Sequence, residues 1–102
     1  MDPRICCLKD LQIIKMLHNN LTEIPEEIFT IESLKLVDFT GNSIKFIPER
    51  VGQATNLVEL NFTSNKLITL PLDVSRLTKL ENLLISSNLI EEIPEGVRFY
   101  FY

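Results

Sequence analysis

Apolar residues recur along this chain with a single period of 23 residues, from Leu11 almost to the carboxyl end. The first repeat supplies Leu11, Ile14, Met16, Leu21, Ile24, Ile28 and Ile31. The second supplies Leu34, Val37, Phe39, Ile44, Ile47, Val51 and Ala54, and the third Leu57, Leu60, Phe62, Leu67, Leu70, Val74 and Leu77. The fourth supplies Leu80, Leu83, Ile85, Ile90, Ile93, Val97 and, less regularly, Tyr100. All 28 positions are apolar, where the chain's 45% apolar content would give about 13 by chance, so the period reflects structure. Two markers keep the same phase: Asn19, Asn42, Asn65 and Asn88, and Pro25, Pro48, Pro71 and Pro94. The boundaries that follow are 11–33, 34–56, 57–79 and 80–102.

Within a repeat the pattern changes character. In Leu57-Val58-Glu59-Leu60-Asn61-Phe62, apolar residues 60 and 62 alternate with polar ones, the two-residue period of a short strand. Copies of this strand in successive repeats are predicted to stack into a parallel sheet on the concave face. The asparagine that follows sits where the chain leaves the sheet. Its amide carries donors and an acceptor, so the four asparagines are predicted to form an inward-facing structural ladder serving backbone groups of their own and the next turn. After each proline, apolar residues return every third position, as in Pro25-Glu26-Glu27-Ile28-Phe29-Thr30-Ile31, which predicts a short helical or 3₁₀ segment on the convex face. Proline suits the first helical position, and Glu26, Glu27, Glu49, Asp73 and Glu95 fall in the first turn, where the helix dipole favours negative charge. The predicted fold class is an α/β repeat solenoid in one domain.

Composition narrows the function more than the fold. The chain has 102 residues, 24% of them charged, and a formal net charge of −4 with its ten Lys and Arg scattered. That is ordinary for a globular domain and gives no clustered basic face for nucleic acid. Met1-Asp2-Pro3-Arg4 leads into too few apolar residues for a signal peptide, no stretch approaches a membrane span, and Asp2 stands where a myristoylation signal needs glycine. The expected location is cytoplasmic. Cys6 and Cys7 are neighbours, poorly placed to pair, and read as reduced thiols rather than lipidation or redox sites. The sequons at Asn20-Leu21-Thr22 and Asn61-Phe62-Thr63 carry no meaning without a secretory route.

The repeat L-x-x-L-x-L-x-x-N-x-L-x-x-L-P-x-x-V-x-x-L, as written in Leu57 to Leu77, resembles the 23-residue intracellular class of leucine-rich repeat. It is similar to the arrays of the Ras-suppressor proteins and of the scribble and erbin scaffolds. The resemblance covers residues 11 to about 97 and implies a curved solenoid, a cytosolic location and scaffold work in signalling. Small GTPases and phosphatase or kinase complexes are the partners it implies. The motif specifies the fold far more than the partner, since contact residues lie at its variable positions.

Both ends depart from the pattern. Ile5 and Leu8 fall in phase with Ile28 and Ile31, so residues 1–10 read as part of an earlier repeat or an improvised cap. At the other end the register gives way to Arg98-Phe99-Tyr100-Phe101-Tyr102, an apolar tail. Solenoid ends need caps with a polar outer face, and neither end offers one. A truncated or splice-derived array is one expectation, a small protein capped by its aromatic tail the other. Either way, low stability or self-association is expected.

The residues between buried strand positions define a candidate protein-binding face in columns. Ile13, Leu36, Glu59 and Asn82 make one; Lys15, Asp38, Asn61 and Leu84 the central one; Leu17, Thr40, Thr63 and Ser86 the third, bordered by His18, Gly41, Ser64 and Ser87. Ile13, Leu17 and Leu36 form an apolar patch that suits either a partner or packing against residues 1–10, whereas Leu84 stands apart from that end. No constellation for catalysis emerges. His18 is the sole histidine, with no nucleophile motif or second nitrogen ligand. Gly41, Gly52 and Gly96 are isolated, so no phosphate-cradling loop exists, and Glu26-Glu27 and Glu91-Glu92 are adjacent pairs on exposed turns. The reading is a non-catalytic interaction module with no cofactor, metal, nucleic acid, membrane or small-molecule ligand. The alternatives are a substrate-recognition arm of a ubiquitin ligase, an extracellular recognition module, or a truncated array competing with a longer parent.

Overall fold

The structure, a computed structural model, describes residues 10–93. The expectations for Ile5, Cys6, Cys7 and Leu8, for Pro94, Glu95 and Gly96, for Val97 and Tyr100, and for the 98–102 tail lie outside those residues.

Four three-residue strands, β1 (Ile13–Lys15), β2 (Leu36–Asp38), β3 (Glu59–Asn61) and β4 (Asn82–Leu84), form one parallel sheet in sequence order. Their register is the sequence period itself: Ile13 pairs with Leu36, Leu36 with Glu59 and Glu59 with Asn82. Each strand buries only its middle residue, Ile14, Val37, Leu60 or Leu83, because successive side chains point to opposite faces. The chain returns through 3₁₀ helices at Glu26–Thr30, Glu49–Gln53 and Leu72–Arg76, so each coil has a sheet side and a helical side. This is a leucine-rich-repeat solenoid.

The three helices refine the prediction at their prolines. Pro25, Pro48 and Pro71 sit one residue ahead of the first helical position, with extended ψ values of 104°, 153° and 144°. Their fixed φ near −70° still helps, because each proline carbonyl accepts the first i→i+3 bond, from Ile28, Val51 and Val74.

The core runs through the stack and contains the template positions of the middle two coils in full. Phe39 and Phe62 stack within it, ring centroids 5.6 Å apart and planes 16° from parallel. Leu11, Met16 and Leu21 in the first coil and Ile85, Ile90 and Ile93 in the fourth are only partly buried, since each lacks a coil on one side among the described residues. Phe29 is fully buried although the every-third-residue pattern left it unassigned. Its counterpart one coil on is Gly52, where an added Cβ would lie 3.1 to 3.2 Å from Arg76 and Asp73 of the next helix. Phe29 is thus a buried ring at a place where the next coil has room only for glycine.

The asparagine ladder differs from expectation in direction and in membership. Asn42 Nδ2 donates to the carbonyls of Phe39 (2.8 Å) and Met16 (2.7 Å), while its Oδ1 accepts from the N–H groups of Asn19 and Leu21, both at 3.0 Å. Asn65 joins Phe62 and Phe39 carbonyls and accepts from Ile44 N–H; Asn88 joins Ile85 and Phe62 carbonyls and accepts from Leu67 N–H. Each amide thus serves its own and the preceding coil, not the following one. Asn19 is exposed and outside the ladder, its Nδ2 bonded among the described residues only to Leu17 C=O, at 3.0 Å.

Candidate functional site

The sheet register brings the first two predicted columns together. Ile13, Leu36, Glu59 and Asn82 lie side by side on adjacent strands, as do Lys15, Asp38, Asn61 and Leu84. Leu17, Thr40, Thr63 and Ser86 follow in phase just beyond the strands. Exposure is uneven along this face. Ile13, Leu17 and Leu84 are 55%, 42% and 41% exposed, so apolar surface is open to solvent at both edges of the sheet. Leu36, Asp38, Thr40, Glu59, Asn61 and Thr63 are half-buried, and Lys15, Asn82 and Ser86 are exposed.

Two of the polar candidates have internal work. Asp38 Oδ1 accepts from Thr40 N–H (3.0 Å) and Thr40 Oγ1 (2.6 Å), and Asn61 Oδ1 accepts from Thr63 N–H (3.0 Å) and Thr63 Oγ1 (2.7 Å). These local turns fix the two side chains as the strands end, through Oδ1 of each. In the outer coils the same positions are Lys15–Leu17 and Leu84–Ser86, which cannot form the pair. Asn82 Nδ2 reaches Glu59 Oε1 at only 3.5 Å. Asn61, in the second sequon, is a strand residue with its amide engaged, whereas Asn20 is exposed in a loop.

His18 is placed by the backbone and not by chemistry. It has φ 51°, and its counterparts Gly41, Ser64 and Ser87 have φ 75°, 58° and 58°, so this column is a left-handed turn that aims the chain into the ladder asparagine. The His18 ring lies over Gly41, where a Cβ would come within 2.1 Å of Nδ1. Gly41, bordering the third column, was the one sign of this turn in the sequence. Elsewhere, Phe46, Ile68 and Leu89 are exposed in the loops that follow Asn42, Asn65 and Asn88, an apolar contribution that the column reading omitted. Among the described residues no group of three or more His, Cys, Asp and Glu side chains is placed to hold a metal ion. No helix among them is long and apolar enough to cross a membrane.

No protein-family model matches the chain, and no curated protein sequence does. Solved structures do match. The leucine-rich-repeat protein LIC12759 of Leptospira interrogans superposes with a TM-score of 0.90 at 29% identity, over 95% of this chain and 25% of that one. The ectodomain of the receptor kinase SOBIR1 from Arabidopsis thaliana gives 0.80 at 28% identity, over 99% and 56%. The plant peptide hormone receptor RGFR1, in complex with RGF2, gives 0.71 at 32% identity, over 88% and 15%. The chain therefore has the architecture of leucine-rich-repeat proteins and spans a quarter of the Leptospira protein's length.

Proposed function

We propose that this chain is a protein-interaction module that binds a partner protein or peptide on the concave sheet. The observation that carries the reading is the exposure of Ile13, Leu17 and Leu84 on a face whose neighbouring polar groups are fixed by Thr40 and Thr63. Exposed aliphatic groups beside oriented polar atoms combine a desolvation gain with directional contacts. The hormone receptor neighbour, solved with its peptide, supports the same use of this architecture.

Size sets the contact region. Four strands about 4.8 Å apart make a sheet only ~15 Å across, less than the roughly 800 Å² per side of a standard interface requires. The loops carrying Phe46, Ile68 and Leu89 supply the added area in this reading. The finer role we propose, a scaffold for an intracellular signalling partner such as a small GTPase, rests on the resemblance of the repeat alone. Proximity labelling in cells, compared among the native chain, Ile13→Glu and Leu84→Glu, tests the surface. Loss of shared partners in both variants, with unchanged circular dichroism, is the expected result; an unchanged partner set in both refutes concave-face binding.

A further inference from the structure

We infer that a cleft between the first and second coils, where the chain passes from the sheet to the 3₁₀ helices, is a socket for one basic side chain of the partner. The aliphatic stem of that side chain lies on Phe46 and Pro48, and its charged end meets the carboxylates of Glu23 and Glu26. This deepens the interaction reading by naming chemistry that the partner carries, and it rests on that reading.

The cleft holds about 300 Å³ and is lined by Thr22, Glu23, Ile24, Glu26, Phe46 and Pro48. That is the lower limit for small-molecule pockets, a size for one side chain rather than a whole cofactor. Both walls belong to described coils, Glu23 and Ile24 to the first, Phe46 and Pro48 to the second. The repeat sets their direction. Ile24 and Ile47 turn into the core, and the residues just before them, Glu23 and Phe46, are exposed. Phe46 is 60% exposed, an aromatic ring left in solvent inside the array and not at its rim. Among the described residues, Glu23 and Glu26 have no hydrogen-bond or ion-pair partner. Lys45, next to Phe46 in the chain, is exposed, lies outside the cleft lining and forms no ion pair among the described residues.

Carboxylates and apolar surface in one cleft select an amphipathic cation. An acidic residue is repelled, and an aliphatic one leaves the carboxylates unmatched. Lys and Arg bring methylene stems for the apolar wall and a charge for Glu23 and Glu26, and a cation against a phenyl face gains from the ring's quadrupole. The combination is specific to this pair of coils. The counterparts of Phe46 are Glu23, Thr69 and Glu92, and those of Glu26 are Glu49, Leu72 and Glu95, so no other pair repeats Glu, Glu and Phe at these places. Ile68 N–H donates to Lys45 C=O at 3.2 Å, which sets the exposed Ile68 of the third coil alongside the Lys45–Phe46 step. The apolar surface thus continues beyond the socket, and a partner residue next to the cation has somewhere to rest.

NMR titration of the isotope-labelled 102-residue chain with blocked peptides Gly-Gly-X-Gly-Gly tests the inference, X being Arg, Lys, norleucine or Glu. The Arg and Lys peptides are expected to shift the amide signals of Thr22, Glu23, Ile24, Glu26 and Phe46, saturating at millimolar concentration. The norleucine peptide, which keeps the stem and drops the charge, is expected to bind about tenfold more weakly, and the Glu peptide more weakly still. Phe46→Ala is expected to weaken the Arg peptide about threefold, and Glu23→Gln with Glu26→Gln about fivefold. Salt near about 1 M removes most of the difference between Arg and norleucine. The three substituted side chains are exposed, so an unchanged Tm verifies that the fold is kept. Equal binding of the Arg and norleucine peptides, shifts centred outside this cleft, or undiminished binding in Phe46→Ala overturns the inference. None of these measurements involves Ile13 or Leu84, so such a result leaves the concave-face reading to its own test.

Discussion

Replacing Asn65 by alanine isolates the contribution of the ladder. The side chain is 7% exposed and makes contacts in two coils: its Nδ2 donates to Phe39 C=O (2.9 Å) and Phe62 C=O (3.0 Å), and its Oδ1 accepts from Ile44 N–H (3.1 Å). The two carbonyls do not become orphans, because Asn42 still donates to Phe39 and Asn88 to Phe62, both at 2.8 Å. The Ile44 N–H does, in a fully buried residue. One buried orphan donor costs about 1–3 kcal/mol, and two lost secondary bonds add roughly 0.5–1.5 kcal/mol each, so the expected loss is about 4 kcal/mol. For a domain of this size that lowers Tm by about 16–32 °C. Circular dichroism melts at low protein concentration, where association is minimal, measure it. The control is Asn19→Ala, whose exposed amide donates to Leu17 C=O, with an expected change below about 3 °C. Asn88, half-buried, falls between the two. Equal shifts for Asn65 and Asn19, or a loss under about 1 kcal/mol for Asn65, would refute the ladder's energetic role.

Three further outcomes follow from the same geometry. Gly41→Ala places a methyl on a residue with φ 75° and against the His18 ring, and is expected to cost about 1–2 kcal/mol in urea unfolding; combined with His18→Ala, it costs less than the sum of the two. Asp38→Asn keeps an Oδ1 for Thr40, as Asn61 does for Thr63, so Tm stays within about 2 °C while Asp38→Ala loses about 1 kcal/mol; a melt that drops equally in both variants assigns the stabilisation to the charge. Phe62→Ala removes a fully buried ring stacked on Phe39 and is expected to cost about 3–5 kcal/mol by chemical denaturation, with a smaller loss contradicting the packing described.

The repeat made much of the site legible from the chain alone. Columns 13–36–59–82 and 15–38–61–84 followed from the period, because a parallel sheet built from equal coils has no other register that buries Ile14, Val37, Leu60 and Leu83 together. What the columns display was not legible. Asp38 and Asn61 look like free polar contacts until Thr40 and Thr63 are seen to hold them, and His18 reads only as the border of a binding column until its left-handed backbone and its place over Gly41 are seen.

The sequence by itself determined the coil, its length, its strand, its 3₁₀ return and the side of each that turns inward. These are properties of spacing, and spacing is repeated often enough in one chain to stand clear of chance. Only the tertiary structure decided which members of each column share a role. Asn42, Asn65 and Asn88 enter the ladder and Asn19 does not; Phe29 is buried where Gly52 and Ser75 hold its place in later coils. The reason is that a side chain's partners lie about one period away in sequence, so its burial and hydrogen bonds are set by the adjacent coil and by its position in the stack.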